Sequence, residues 1–416
     1  MLTSKINFHD PCLQPMSLSS LNQTRLLLSR LIDFVGKNIK NIAVIEAKDT
    51  LKTIAQAESE VFEGLQILKY YANLEIPIIT QSDSGSTFRA PIGTCLFILP
   101  FNYPFLLACW KMGPALATGN TCWIKPSPYT PNSIKYVADS VSQFESNPLL
   151  KCILANNQET LALVKNPIVD HIGFIGGQEG AQEIWKHSYS KSFHIEASGC
   201  NSIIIDTDIT TELVDTVTDA VLTNAGQNCC KPSLIFVPDA QLNKFVETCL
   251  SAFKKYPLIP LINVQQAERY HKGVSKYNAT DFERISIKCN NQDNIKSFVN
   301  PTIFVYKGSL SNPSQQLFKE VFGPVTTIVP VKDESTLDII MKNNRNKLAM
   351  GVLTHDLKKA KQRIHTYKHG INWINNYNSC PPDVCFGGSQ LSGTPWNKDL
   401  GIQAAYGLTL QYSLVD

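Results

Sequence analysis

VDHIGFIGGQEG, residues 169–180, decides the fold. An apolar run of strand length turns at Gly176–Gly177 straight into a segment, 178–188, with helix character, so a strand feeds the N-terminus of a helix. Such a junction leaves backbone N–H groups without intrahelical partners, a setting that suits a pyrophosphate. The stretch lacks G-x-G-x-x-G spacing, and glycine turns between strand and helix are common without a ligand. On its own it speaks for topology more than for chemistry.

Upstream, the same alternation repeats. TCLFILPF (94–101) precedes a helix over 104–118, NTCWIKP (120–126) one over 131–144, and KCIL (151–154) one over 157–164. Apolar strands alternating with helices predict a parallel sheet covered on both faces, a doubly wound, Rossmann-like α/β domain. Ligands of such sheets sit outside the carboxyl ends of the strands, and those ends carry Pro100, Phe101 and Asn102, Lys125 to Ser127, and Gly176 and Gly177. The expected site is therefore a cofactor crevice. Further upstream, Leu28, Leu31, Ile32 and Val35, and then Ile54, Ala57, Val61, Leu65, Leu68 and Ala72, recur at helical spacing and predict two amphipathic helices.

Downstream, SFHIEA (192–197) and SIIID (202–206) close this half. A second alternation follows: a helix over 210–225, SLIFV (233–237), a helix over 240–255, an irregular stretch over 257–315, then TTIVPV (326–331), a helix over 335–344 and INWIN (371–375). The expected division is a cofactor domain over 1–207, a catalytic α/β domain over 208–398, and a C-terminal strand over 399–416. That strand and a projecting β-hairpin at about 76–92 lie outside both cores. Projecting strands pair readily with another subunit, which predicts a homodimer or homotetramer.

At 416 residues the chain exceeds the size of one core. Thirty-eight basic against thirty-five acidic residues, with no basic block, exclude a nucleic-acid footprint and a membrane-surface patch and leave small molecules as partners. The start, MLTSKINFHDPCLQP, has no apolar core for a secretory signal, no later run reaches membrane-spanning length, and a cytoplasmic location is expected. Twelve scattered cysteines without a C-x-x-C pair read as reduced thiols, and no metal site is expected.

Three segments carry chemistry. In NAGQNCCKP (224–232), Gly226 permits an unusual turn just before Cys229, which can present a thiol nucleophile; the blander reading is a buried small residue. In FHIEASGCNS (193–202), Glu196 sits inside an apolar strand, where loss of hydration favours its protonated form and suits a general base. The alternative is a strand-edge glutamate paired with a lysine. Asn102, in ILPFNYP (98–104), is a rigidly held amide suited to an oxyanion, or else a turn residue.

In this order ILPFNYP, WKMGPALATGNTCWIKPSPYTP, FIGGQEG, IEASGC, NAGQNCC, KEVFGPV and CFGGSQLSG closely resemble the aldehyde dehydrogenase superfamily across nearly the whole chain. The resemblance implies that Cys229 is the nucleophile, Glu196 the base and Asn102 the oxyanion-hole amide. It sets Trp110–Lys111 beside the substrate tunnel, Lys125 on the adenosine ribose, and Gly176 and Gly177 at the pyrophosphate. It further puts Glu320 on the nicotinamide ribose, Phe322 beside the nicotinamide ring and Phe386 at the substrate mouth. The implied reaction is NAD- or NADP-dependent oxidation of an aldehyde to an acid. Glu196, by activating water, favours an acid over an acyl-CoA product.

Candidates for the pocket wall include Phe105, Leu106, Trp110, Cys230 and Phe386. They are apolar or aromatic and bring no cation to clamp a second carboxylate, which favours an aliphatic or aromatic aldehyde. The chain departs from the family pattern at Ser198, Cys200, Gly177, Pro128, Leu234 and Gln390, and it is shorter at its N-terminus, where the family has further cofactor-domain strands. Pro128 removes the carboxylate that would repel a 2′-phosphate, so NADP stands level with NAD. The lost charges set up a rival: an aldehyde dehydrogenase fold with weak or no activity, serving as a ligand-binding or assembly subunit.

Overall fold

The spacing of Leu28, Leu31 and Val35, and of Ala57, Val61, Leu65 and Leu68, buries one stripe on each of two successive helices, and they pair as α1 (Leu21–Thr50) and α2 (Ile54–Asn73). Thr53 and Gln56 start α2 with a capping box, each accepting a backbone N–H of the other. These elements belong to a computed structural model of the chain, which describes residues 21–76, 79–82, 84–142, 149–197, 199–288 and 295–415. The N-terminal segment read for targeting and the substituted Ser198 lie outside the described residues. The chain forms two units, one of Met1–Ala197, Pro381–Phe386 and Trp396–Asp416, the other of Ser198–Cys380 and Gly387–Pro395.

In the first unit the chain continues through β1 (Ile79–Ser82), β2 (Gly85–Pro91), β3 (Thr94–Ile98), α3 (Pro104–Ala117), β4 (Thr121–Lys125), α4 (Asn132–Ser142), β5 (Leu150–Cys152), α5 (Asn157–Lys165), β6 (His171–Gly176), α6 (Gln178–Lys186) and β7 (Ser192–Ala197). Strands β5-β4-β3-β6-β7 form a wholly parallel five-stranded sheet, as continuous apolar runs with helical crossovers require. Ile98 registers with both Lys125 and Phe174, and Ile175 with Glu196, so the carboxyl ends of four strands come level. Leu96, Trp123, Ile172 and Ile195 pack from these strands into one core with Leu163 and Ile184 of the helices.

The second unit contains β8 (Asn201–Asp206), α7 (Thr211–Leu222), β9 (Pro232–Pro238), α8 (Leu242–Lys255), α9 (Val264–Val274), β10 (Phe282–Ser286), β11 (Thr302–Tyr306), β12 (Val325–Val331), α10 (Glu334–Asn343), β13 (Ala349–Thr354), α11 (Leu357–Tyr367) and β14 (Ile371–Ile374). Its seven-stranded sheet runs β10-β11-β12-β9-β8-β13-β14, parallel except for β10. The chain returns to the first unit as α12 (Gly401–Gly407) and β15 (Thr409–Val415), which pairs antiparallel with β2 in the small sheet β1-β2-β15.

Three sequence expectations are corrected. SIIID does not close the first sheet: β8 pairs with β9 and β13, so the division falls at Ala197 rather than 207. The stretch over 257–315 is not irregular throughout, since it holds α9, β10 and β11. In α9 the inward stripe of Gln266, Ala267, Tyr270 and Val274 includes a glutamine and breaks the apolar signal. The tail over 399–416 is not a single strand, because α12 takes Ala405 to Gly407 and only the residues from Thr409 extend. The ten described cysteines are free thiols. No described helix is long and apolar enough to cross a membrane.

Candidate active site

The first unit positions its candidates at strand ends and on one buried helix. All fourteen residues of α3 are buried, Lys111 among them. A buried ammonium is tolerated only when paired, and Lys111 Nζ lies 2.5 Å from Asp399 Oδ1 and 3.3 Å from His194 Nδ1. His194 Nε2 in turn lies 3.1 Å from Glu196 Oε1. On β7, residues 194 and 196 point to the same face, which is why one strand supplies both. Asp399 is held by reciprocal backbone hydrogen bonds with Phe386, at 2.6 and 2.7 Å. The Phe386 ring meets Trp110 edge-on at 4.9 Å.

His194, Glu196 and Asp399 offer ligand atoms within 4.8 Å of one another, the geometry of a small metal cluster. The Lys111 ammonium, in contact with two of these three groups, makes the cluster an ion-pair and hydrogen-bond network instead. Beside it His171 is held well below its ordinary value by burial, reinforced by His194 and Lys111, and stays neutral. A cavity of about 10 Å³, room for one water, is lined by His171, His194, Lys111, Lys398 and Asp399.

Asn102 is buried, and Lys52 fixes its turn by donating to the Asn102 carbonyl at 2.7 Å while pairing with Glu60 at 2.6 Å. Glu46 caps the following helix by accepting the Phe105 N–H at 3.1 Å, and its burial, opposed by Lys52, pushes its carboxyl up to about 7. Pro100 and Phe101 are half-buried, and the Phe101 ring meets Tyr129 edge-on. Lys125, the last residue of β4, and Ser127 just past it are both buried, and burial lowers the Lys125 ammonium. Gly177 is the N-cap of α6 with no side-chain cap, and a Cβ there would meet nothing within 4 Å. Gly176 is different: a Cβ would fall 2.5 Å from the Phe174 ring, so packing alone demands glycine there. The open cap at Gly177 and the cation of Lys125 fit a ligand with phosphates and a ribose.

Leu106, Trp110 and Phe386 are buried and apolar as a pocket wall requires. Phe105 is buried as well, and its Cε1 lies 3.5 Å from where a Gly64 Cβ would stand, so its ring also reaches the α2–α3 contact.

In the second unit Cys229 follows a left-handed turn. Asn224 and Ala225 have φ of 54° and 53°, and Gly226 has 69°. A Cβ on Gly226 would lie 2.2 Å from the Gly323 carbonyl oxygen, so this glycine is required twice over. Side chains pin the segment that follows. Asn201 Nδ2 donates to the carbonyls of Cys229 at 2.6 Å and Lys231 at 3.1 Å, Tyr377 donates to that of Cys230 at 2.7 Å, and Asn228 Oδ1 accepts the Cys230 N–H. Cys229 itself is partly exposed, with its Sγ 3.9 Å from that of Cys230, which is buried. Glu320 accepts the Gly199 N–H at 3.3 Å, and Phe322 is half-exposed. Cys200, standing where the family has lysine, is buried and its thiol is pushed up to about 12 by burial. Lys231, wholly buried and lowered to about 8 by burial, interacts with Glu320 and Cys200.

Sequence reasoning missed His194, Asp399, Asn201 and Lys231, and it took Tyr377 for pocket wall rather than for the donor to the Cys230 carbonyl. His194 and Lys231 carried a signal, a charge-bearing side chain within or flanking an apolar strand. Asp399, in the polar WNKDLG, carried none.

Residues 12–409 match the aldehyde dehydrogenase family. Mouse aldehyde dehydrogenase 1A1 is 29% identical over 92% of this chain and 80% of its own length. Human 4-trimethylaminobutyraldehyde dehydrogenase is 28% identical over 90% and 80%. The fold is that of betaine aldehyde dehydrogenase from Staphylococcus aureus, solved in complex with NAD+, with a TM-score of 0.87 at 24% identity over 95% of this chain and 84% of that one. The chain therefore belongs to the aldehyde dehydrogenase family.

Proposed function

We propose that the protein oxidises an aliphatic or aromatic aldehyde to the carboxylic acid through a covalent intermediate on Cys229. The observation that carries this reading is the partly exposed Cys229 on a turn whose neighbouring carbonyls are tied down by Asn201 and Tyr377, an arrangement that spends side chains on presenting one thiol. The Cys229 thiolate adds to the aldehyde carbon, and the Asn102 amide steadies the oxygen that becomes negative. A nicotinamide coenzyme, NAD or NADP, accepts the hydride when bound. Lys125 and Ser127, with Pro100 and Phe101, would hold its ribose side, the α6 N-terminus behind Gly176 and Gly177 would hold its phosphates, and Glu320 and Phe322 would hold its nicotinamide half. Glu196 then takes a proton from water, the water oxygen bonds to the thioester carbon, and the sulfur leaves as thiolate.

Leu106, Trp110 and Phe386 offer the substrate apolar surface from the first unit, and Cys230 does so from the second. The small sheet carries Leu410, Tyr412 and Val415 exposed on its edge strand β15, which supports pairing of subunits through that edge into a homodimer or homotetramer.

Calorimetry with NAD and NADP side by side, followed by coenzyme reduction across a panel of apolar aldehydes, tests the reading. Binding of either coenzyme and turnover lost in Cys229→Ala are the expected results. No binding at millimolar coenzyme overturns it and leaves an aldehyde dehydrogenase fold serving as a ligand-binding or assembly subunit.

A further inference from the structure

His194 stands between the proposed base and a buried ion pair, and its contacts settle which ring nitrogen donates. The groups facing it are Glu196 on its own strand, Lys111 of α3, His171 of β6, and Lys398 and Asp399 of the C-terminal segment. Lys111 Nζ is 3.3 Å from Nδ1, and an ammonium has only donors, so Nδ1 is the acceptor and the ring proton is on Nε2. Asp399 Oδ1 lies farther from Nδ1, at 3.5 Å, and is neutralised by Lys111 at 2.5 Å. The Nε2–H therefore points at Glu196 Oε1, 3.1 Å away.

We propose that His194 is a positioning residue for Glu196: its imidazole, with the tautomer fixed by Lys111, donates Nε2–H to the carboxylate and holds it aimed for the hydrolytic water. The role rests on the reading of Glu196 as the base. During hydrolysis the water O–H bond breaks, its proton goes to a carboxylate oxygen of Glu196, the oxygen bonds to the thioester carbon, and the C–S pair departs with Cys229. His194 keeps its proton throughout. A hydrogen bond to the charged form favours that form, so its loss shifts the acid limb of turnover upward.

The test uses the full chain with coenzyme and a simple aliphatic aldehyde, reading the first-turnover burst of reduced coenzyme separately from steady turnover. His194→Leu leaves the burst rate intact, slows turnover about tenfold and moves the acid limb of kcat up by about one pH unit. His194→Gln, whose amide reaches where Nε2 was, restores the limb; His194→Asn, of similar polarity but too short, does not. The Gln and Asn pair decides the matter even where the Leu variant does not fold. An unshifted limb in both Leu and Asn variants, or burst and turnover falling together, overturns the proposal. Glu196→Gln separates the two levels. If it stalls the enzyme after the burst while the His194 variants behave as wild type, only the role of His194 falls. If Glu196→Gln turns over normally, the reading of Glu196 falls and the role of His194 with it.

Discussion

The two units hold their chemistry by opposite means. In the first, Lys111, His194 and Glu196 sit on regular elements, a helix and a strand, with unstrained backbone, and the cost of burying the Lys111 and Glu196 charges is offset by contacts with His194 and Asp399. In the second, Cys229 sits after three consecutive left-handed residues, two of them not glycine, and the strain is balanced by hydrogen bonds from Asn201, Tyr377 and Gln227. Charge is positioned here by rigid elements and the thiol by a strained turn. Substitutions around Glu196 should accordingly act through charge, and substitutions in the turn before Cys229 through backbone integrity.

The largest effect removes the nucleophile. Cys229→Ala should lower kcat by at least about a thousandfold, roughly 4 kcal/mol, while coenzyme affinity by calorimetry stays within about twofold. A comparable loss of coenzyme affinity would mean that the turn, not the thiol, was being probed. Next comes Gly226→Ala, which meets the Gly323 carbonyl oxygen at 2.2 Å with φ of 69° and should cost about 3 kcal/mol in denaturant unfolding. An unchanged midpoint would break the contrast, because the turn would then be as pliant as an ordinary loop.

How far these features could be read beforehand follows the same divide. Parallel β-α alternation and the strand carrying Glu196 were legible, because apolar runs of strand length punctuated by helices have few other solutions. Which sheet β8 would join was not: SIIID has the same composition whether it pairs with β7 or with β9 and β13. That Phe105 would reach the α2–α3 contact was equally hidden, since α3 is buried all round and its periodicity carries no direction. Cys229 was recognisable from Gly226, but the side chains that pin its turn come from residues 201 and 377, and no local pattern joins them.

A third effect belongs to the regular unit and shows what a charge costs there without a sufficient partner. Glu46 is fully buried, and its carboxyl is pushed up to about 7 from 4.5 by burial. Because the folded value lies above the unfolded one, the folded state keeps the proton while the unfolded state loses it. Stability therefore falls as pH rises from about 4.5 to about 7, and levels off above. The loss is about 3 kcal/mol. Glu46→Gln should flatten that decline in denaturant titrations at pH 5 and 8. A variant as pH-dependent as wild type would show that Glu46 keeps its charge on folding.

The smallest effect falls at the cap of α6, where Gly177 stands in place of the family's serine. Space exists for a side chain, since a Cβ meets nothing within 4 Å, and φ there is −80°, open to any residue. Serine is also a better N-cap than glycine by a few tenths of a kcal/mol, so Gly177→Ser should leave folding unchanged or slightly firmer. If the α6 N-terminus holds the coenzyme phosphates, the hydroxyl should tighten coenzyme binding by about three- to tenfold, worth about 1 kcal/mol for one added hydrogen bond. Its counterpart at the neighbouring glycine sharpens the test: Gly176→Ser would drive a Cβ to 2.5 Å from the Phe174 ring and should destabilise the unit. Two adjacent glycines would then separate by purpose, one kept for packing and the other standing where a ligand has room. Tighter binding in neither coenzyme would detach the helix end from the phosphates.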